Sequence, residues 1–241
     1  MRLVTAHARA MTVELLRYPA YLVPTLAFPP VFFLFFAAPG AGEAATGRMA
    51  AFAGFAVIGV AFFQFGVGIA VERATPWEAY LRTLPIGPVV RLTARVMSAA
   101  VFAVAAGCVL VVVALATTTA TMSPGSWSLF ALSLLLGTAP FALLGIALGY
   151  WSPARGALPI ANLLYLSLSY AGGLWLAPRN LPTVVRKLSP VLPTRAFADT
   201  LVASTGGTVA TGAWLVLAAF SLLFGSLAAW GYTRDEGRRF R

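Results

Sequence analysis

The sequence predicts an all-α integral membrane protein with about six transmembrane helices. Of its 241 residues, 60% are hydrophobic and only 10% are charged, whereas about 25% of a soluble domain is charged. The charges are clustered, because long apolar runs carry none and the short segments between them carry several. A membrane-spanning helix needs about 20 apolar residues, and runs of that length recur along the chain.

The residues that the chain lacks exclude several kinds of chemistry. It has one cysteine (Cys108) and one histidine (His7), which excludes an intrachain disulfide and a His/Cys metal cluster. Its only lysine, Lys187, does not follow glycine as the lysine of a phosphate-binding P-loop does. We therefore expect no catalytic site, metal or cofactor in this chain. The net charge of +10 indicates membrane orientation and contact with anionic lipid rather than nucleic-acid binding.

The helices can be predicted in chain order from hydropathy. Residues 1–18 are predicted to form an amphipathic helix on the inner membrane surface, or else an extension of the first span. One face of this helix would carry Leu3, Ala6, Ala10 and Val13. The predicted spans are Tyr21–Ala38, Met49–Val71, Val96–Ala116, Ser128–Tyr150, Ala157–Ala177 and Gly212–Tyr232. Within these bounds there is no Asp, Glu, Lys or Arg.

Two segments depart from a simple span. Span one contains Pro24, Pro29 and Pro30, so we expect it to be bent or broken. The segment 178–211 before span six is too long for a turn and carries both apolar and basic residues. It is predicted to form a short re-entrant hairpin in the outer leaflet, with its basic side chains reaching outward.

The basic residues set the predicted orientation. With the N-terminus inside, 12 of the 17 Lys and Arg residues lie on the cytoplasmic side and five lie outside. Lys and Arg are enriched in cytoplasmic loops. We therefore expect a multi-pass protein of the cell membrane with both termini in the cytoplasm.

The cytoplasmic loop 72–95 carries a predicted helix with well-marked ends. Thr75 and Glu78 have the spacing of a capping box, Pro76 occupies the first helical position, and Pro85 ends the helix. Its apolar face is formed by Trp77, Tyr80, Leu81 and Leu84. Such a helix could lie on lipid, or it could dock in a groove on a partner protein.

This loop resembles the cytoplasmic loop of type-2 ATP-binding-cassette exporter permeases. The matching residues are Glu72-Arg73, Leu81, Pro85 and Ile86-Gly87-Pro88, while Pro76-Trp77 departs from the usual Gly and small or polar residue. The outer segment is similar to that family's re-entrant hairpin at Pro182, Pro190 and Pro193.

The resemblance implies a permease that works as a pair with a second copy or a homologue. A separate cassette ATPase subunit would bind ATP and Mg and supply the energy for export. The residues that would dock this ATPase are Glu72, Arg73, Thr75, Trp77, Glu78, Tyr80, Leu81 and Leu84.

Spans two and five carry the candidate pathway residues, and the resemblance places both spans at the permease dimer interface. Span five has one polar stripe, and span two has a glutamine among aromatic residues. The candidates are Phe62, Gln64, Phe65, Asn162, Tyr165, Ser169 and Gly173. They could line a path for an amphiphilic or apolar solute, or they could serve only helix packing.

Three other functions are alternatives to the exporter. An ion-coupled secondary transporter normally uses ionisable residues inside the membrane, and the predicted spans have none. A membrane enzyme would need a catalytic constellation that the sequence does not show. A non-transporting assembly subunit stays open as an alternative.

Overall fold

The computed structural model describes residues 2–37, 42–76 and 88–239, and every regular element in these ranges is helical. Span two consists of α3 (Gly42–Val60), a π-helix (Ala61–Val67) and α4 (Gly68–Glu72) in direct succession. The other α-helices are α1 (Arg2–Leu16), α2 (Pro19–Phe36), α5 (Pro88–Thr117), α6 (Pro124–Gly137), α7 (Ala139–Trp151), α8 (Ala154–Ala171), α9 (Thr183–Leu188), α10 (Pro193–Thr205) and α11 (Thr211–Arg239). Short 3-10 turns, Pro178–Asn180 and Ser189–Val191, flank α9.

Five helical stretches in the described residues are long and apolar enough to cross a membrane. They are Pro19–Phe36, Gly42–Glu72, Leu92–Thr117, Pro124–Trp151 and Thr211–Asp235. These stretches correspond to predicted spans one, two, three, four and six. Helix α8 corresponds to predicted span five and has 18 residues, but it is more polar and is not one of the five. The structure thus shows a multi-pass helical protein, and the count of six is not confirmed.

Span two is the central helix of the bundle. Of the most apolar 18 residues of span two, 78% are buried, compared with 17–39% of the corresponding residues in the other four candidate spans. It packs against α2, α5, α7, α8 and α10. The outer helices instead expose large apolar side chains such as Val112, Leu215 and Leu222. Exposed apolar surface of this extent is typical of helices that face lipid.

Helix α2 is not broken, although it contains three prolines. It runs from Pro19 to Phe36 as one helix through Pro24, Pro29 and Pro30. Each proline removes a backbone donor, and packing of α2 against α3 and α5 stabilises the helix in spite of this loss.

The packed face of α1 differs from the predicted face. Leu3, Ala6 and Ala10 are exposed, whereas Ala8 is buried and Val4 is half-buried. The helix packs along α5 through this second face. The predicted face was assigned to the membrane surface rather than to α5, so that assignment stays a prediction, and Val13 on this face is half-buried.

The segment that was predicted as a re-entrant hairpin is helical and anchored in the protein. Pro182 precedes α9, Pro190 lies in the following 3-10 turn, and Pro193 begins α10. Helix α10 packs against α3, α6 and α11.

Glycines make room for two buried side chains of α10, Phe197 and Leu201. A Cβ atom at Gly54 would lie 2.5 Å from Leu201 Cδ1, and one at Gly137 would lie 2.5 Å from the Phe197 ring. Helix α10 therefore docks in hollows that only glycine leaves open.

Candidate functional site

A cavity of about 460 Å³ lies between α2, span two and α8. Most of its surface is apolar, with aromatic rings and prolines from α2 facing the π-helix. It is lined by Tyr18, Ala20, Tyr21, Pro24, Thr25, Phe28, Pro29, Ala56, Gly59, Val60, Phe63, Val67, Leu158, Asn162 and Tyr165. Cavities of this size and composition hold molecules with a large apolar part and few polar groups.

Tyr165 forms the wall between α8 and span two. Its ring stacks on Phe55 with the centroids 4.6 Å apart and the planes 4° apart. Its hydroxyl donates to Phe55 O at 3.0 Å. Gly59 gives this hydroxyl its space, because a Cβ atom there would lie 2.9 Å from Tyr165 Oη. The polar atom of the ring is thus bonded within the protein, and the residue also lines the cavity.

The predicted pathway residues are divided between the cavity and the helix contacts. Asn162 and Tyr165 line the cavity. In contrast, Phe62, Gln64, Phe65 and Ser169 are buried and do not line it.

Span two lines the cavity through Ala56, Gly59, Val60, Phe63 and Val67. Phe63 and Val67, which belong to the π-helix, were not among the predicted pathway residues. They follow Gly59 at intervals of four residues. This spacing, which places the three residues on one helical face, could have indicated that they line the same surface.

Gly173 does not continue the polar stripe of span five, because α8 ends at Ala171. Gly173 has φ +81° and its N–H donates to Tyr170 O, while Leu174 N donates to Ser169 O at 3.0 Å. This pair of bonds is the Schellman motif, which needs a left-handed residue and favours glycine. The prediction of a helix to Ala177 was therefore wrong at its end.

Arg73 joins the end of span two to two other helices. Its Nη1 donates to Gly149 O at 2.6 Å and to Tyr150 O at 3.0 Å, at the end of α7. Its Nη2 forms an ion pair with Asp235 of α11. The positive guanidinium thus satisfies carbonyls at a helix C-terminus, where cations are stabilising.

Glu72 begins a polar network that runs to helix α1. We define this polar network as Thr12, Gln64, Glu72, Arg95 and Ser98. Arg95 pairs with Glu72 and donates to Gln64 O at 2.9 Å. Gln64 Nε2 donates to Ser98 Oγ at 3.2 Å, and Ser98 Oγ lies 3.1 Å from Thr12 Oγ1.

Sequence analysis missed Arg95 and Asp235. The predicted bounds of spans three and six placed both residues outside the membrane, whereas both are buried in the structure.

The predicted docking residues lie partly outside the described residues. Of the eight, the structure describes Glu72, Arg73 and Thr75, and the others are Trp77, Glu78, Tyr80, Leu81 and Leu84. Thr75 Oγ1 donates to Glu72 O at 2.7 Å, and Pro76 is helical, as expected for the start of a helix. The docking helix itself stays a prediction.

Comparison with known proteins connects this architecture to transport. The chain is 27% identical over 185 residues to a Bacillus subtilis (strain 168) protein named "Putative transport permease YvfS", covering 76% of this chain and 75% of that protein. This chain resembles a transport permease. No family model matches the chain, and no solved structure matches it.

The relative and the fold point in the same direction. Five long apolar helices and similarity to a protein named as a transport permease support a multi-pass membrane protein.

Proposed function

We propose that this chain is the permease subunit of an ATP-driven exporter of the type-2 ATP-binding-cassette class. The observation that supports it best is the position of the cavity. The π-helix that lines the cavity continues through α4 into the loop that carries the predicted docking helix. A push on that loop would therefore act on the cavity wall through one short helix.

The solute that fits the cavity is amphiphilic or apolar. Aromatic and proline side chains supply most of the lining, and Thr25 and Asn162 supply isolated polar groups. A second permease copy or a homologue would close the open side of the cavity, and ATP with Mg would be bound by the separate ATPase.

In the membrane we propose six spans with both termini in the cytoplasm and α8 as the fifth span. Its polar residues Tyr165 and Ser169 would be tolerated there because both are buried against the protein. Helices α9 and α10 would form the outer re-entrant hairpin.

Ion-coupled transport has less support than the exporter. Coupling ions bind to ionisable groups on the solute path, whereas the buried Arg95 and Asp235 are ion-paired with Glu72 and Arg73 and do not line the cavity.

The docking helix provides the test of the exporter proposal. Replacing Trp77 and Tyr80 with Ala removes two anchor side chains, a loss of about 2–4 kcal/mol at a binding hot spot. The variant should insert in the membrane normally, because no span is changed. Copurification of the cassette ATPase and solute-stimulated ATP hydrolysis should both fall.

Phe35→Ala is the matched control. Phe35 is an exposed aromatic residue near the C-terminal end of span one, which is predicted to lie on the side of the membrane away from the docking helix. It should leave ATPase binding intact. Normal transport by the double variant with its ATPase still bound would contradict the proposed coupling.

A further inference from the structure

We propose that Glu72 and Arg95 are positioning residues that fix the shape of the cavity by stabilising the π-helix of span two. The inference rests on the proposed function only in treating the cavity as the solute path. The structural effect itself concerns the cavity wall and needs neither an ATPase nor a solute.

Within span two, the π-helix rotates the side chains that follow it relative to the positions they would have in a regular α-helix. Its bonds run from residue i to i+5, and such segments are rare and concentrated at functional sites. It spans Ala61–Val67, and Phe63 and Val67 line the cavity from it. If the segment became a regular α-helix, these two side chains would turn relative to the residues of α3 that line the same cavity.

Arg95 of α5 bonds to the backbone of this segment. Its Nη1 donates to the carbonyl oxygen of Gln64 in the middle of the π-helix at 2.9 Å. An extra donor of this kind compensates a carbonyl that a distorted helix leaves poorly satisfied.

Gly68 provides the space for this contact. A Cβ atom at Gly68 would lie 2.9 Å from Arg95 Nη1, so the guanidinium passes over the helix surface where no side chain is present. The contact between Arg95 and the π-helix therefore depends on glycine at position 68.

Glu72 keeps the guanidinium in place. The Arg95 side chain is 10% exposed, whereas Glu72 is 46% exposed. A buried cation is costly unless it is paired, and Glu72 supplies the countercharge. Without that carboxylate, the long Arg95 side chain can extend toward water and leave the Gln64 carbonyl.

This arrangement connects the cavity to the start of the cytoplasmic loop. Glu72 is the last residue of α4, and the predicted docking helix begins at Thr75. A movement of the loop that draws Glu72 away from Arg95 would release the π-helix and change the cavity wall. The pair thus links the position of the loop to the shape of the cavity.

The test measures the cavity wall directly with a cysteine at Val67 in a Cys108→Ser background. The isolated chain in lipid nanodiscs is labelled with N-ethylmaleimide, and the labelling rate is the readout. Glu72→Gln should change the rate at this position by roughly threefold or more, because the π-helix turn is no longer fixed. Glu72→Asp retains the carboxylate and should keep the rate near that of the parent.

Gly68→Ala tests the same contact from its other side. Its new methyl group would meet the flexible end of Arg95 and displace the guanidinium without altering any charge. It should change the Val67→Cys labelling rate in the same direction as Glu72→Gln.

A cysteine at Thr25 is the control, because Thr25 lines the same cavity from α2. Its labelling rate should stay constant in all variants. An unchanged rate at Val67→Cys in both Glu72→Gln and Gly68→Ala would overturn the proposal, and so would an equal change at Thr25→Cys. Failure of the exporter proposal would leave these rates unaffected, since no ATPase is present.

Discussion

Tyr165 contributes stacking, a hydrogen bond and cavity surface from a single side chain. The ring contacts Phe55 and approaches Phe63 with centroids 5.7 Å apart, so it lies between the two helical turns that border the cavity. The ring is buried, and its hydroxyl is bonded to Phe55 O. Stability of the wall and the size of the cavity therefore depend on the same residue.

Substitutions at Tyr165 should separate these contributions. Tyr165→Phe keeps the stacking and loses one hydrogen bond, at a cost of about 1 kcal/mol. Tyr165→Ala removes the ring and should cost about 3–5 kcal/mol while it enlarges the cavity. Thermal unfolding in detergent measures both variants. Equal stability of the two variants would show that the ring does not support the wall.

At single residues, helical spacing grouped Asn162 and Tyr165 on one stripe, and both line the cavity. Their place on a solute path stays a prediction. Gln64 was predicted because it is a glutamine among aromatic residues of span two, and its side chain bonds to Ser98. Its neighbours are set by the π-helix, and periodicity rules for a regular helix do not describe this geometry.

Among the elements, α7 packs closely against the π-helix through glycines. A Cβ atom at Gly145 would lie 2.6 Å from Ala61 O, and one at Gly149 would lie 2.9 Å from Phe65 O. The two glycines are four residues apart on one face of α7, the spacing that lets membrane helices approach closely.

Gly145→Ala should therefore destabilise the protein. Its new methyl group would meet backbone, which cannot move away as a side chain can, and overpacking costs about 1–3 kcal/mol. Gly212→Ala is the control, because a Cβ atom at Gly212 has nothing within 4 Å. The control should be neutral or slightly stabilising. Unfolding midpoints in detergent compare the two variants, and equal midpoints would contradict the tight contact.

The helices themselves were largely predictable, because long apolar runs determine them. Predicted spans one, two, three, four and six each correspond to an observed apolar helical stretch. The ends were less predictable, since they depend on hydrogen bonds such as those of Gly173 and on tertiary contacts. The packed face of α1 was not predictable either, because it depends on where α5 lies.

For the whole molecule, orientation in the membrane is the main property still to be measured. In a Cys108→Ser background, a cysteine at exposed Gly125 should react with an impermeant thiol reagent in intact cells. A cysteine at exposed Ala74 should react only after permeabilisation. The expectation follows from 12 basic residues on the predicted cytoplasmic side and five outside.

The reverse labelling pattern would place the loop after Ala74 outside the cell. An ATPase in the cytoplasm could then not reach the predicted docking helix. The orientation experiment thus also tests whether ATP can drive this permease from the side where it is available.

The central position of span two has a consequence for synthesis of the protein. Span two enters the membrane early, but the hollow at Gly54 is filled by Leu201, which is made much later. At about 5–20 residues per second, the nascent chain waits on the order of ten seconds before that partner exists. During this interval the glycine-rich surface of span two is open to lipid or to membrane chaperones. A chain that ends before α10 would keep this surface open permanently, and quality-control proteases could recognise the truncated product by it.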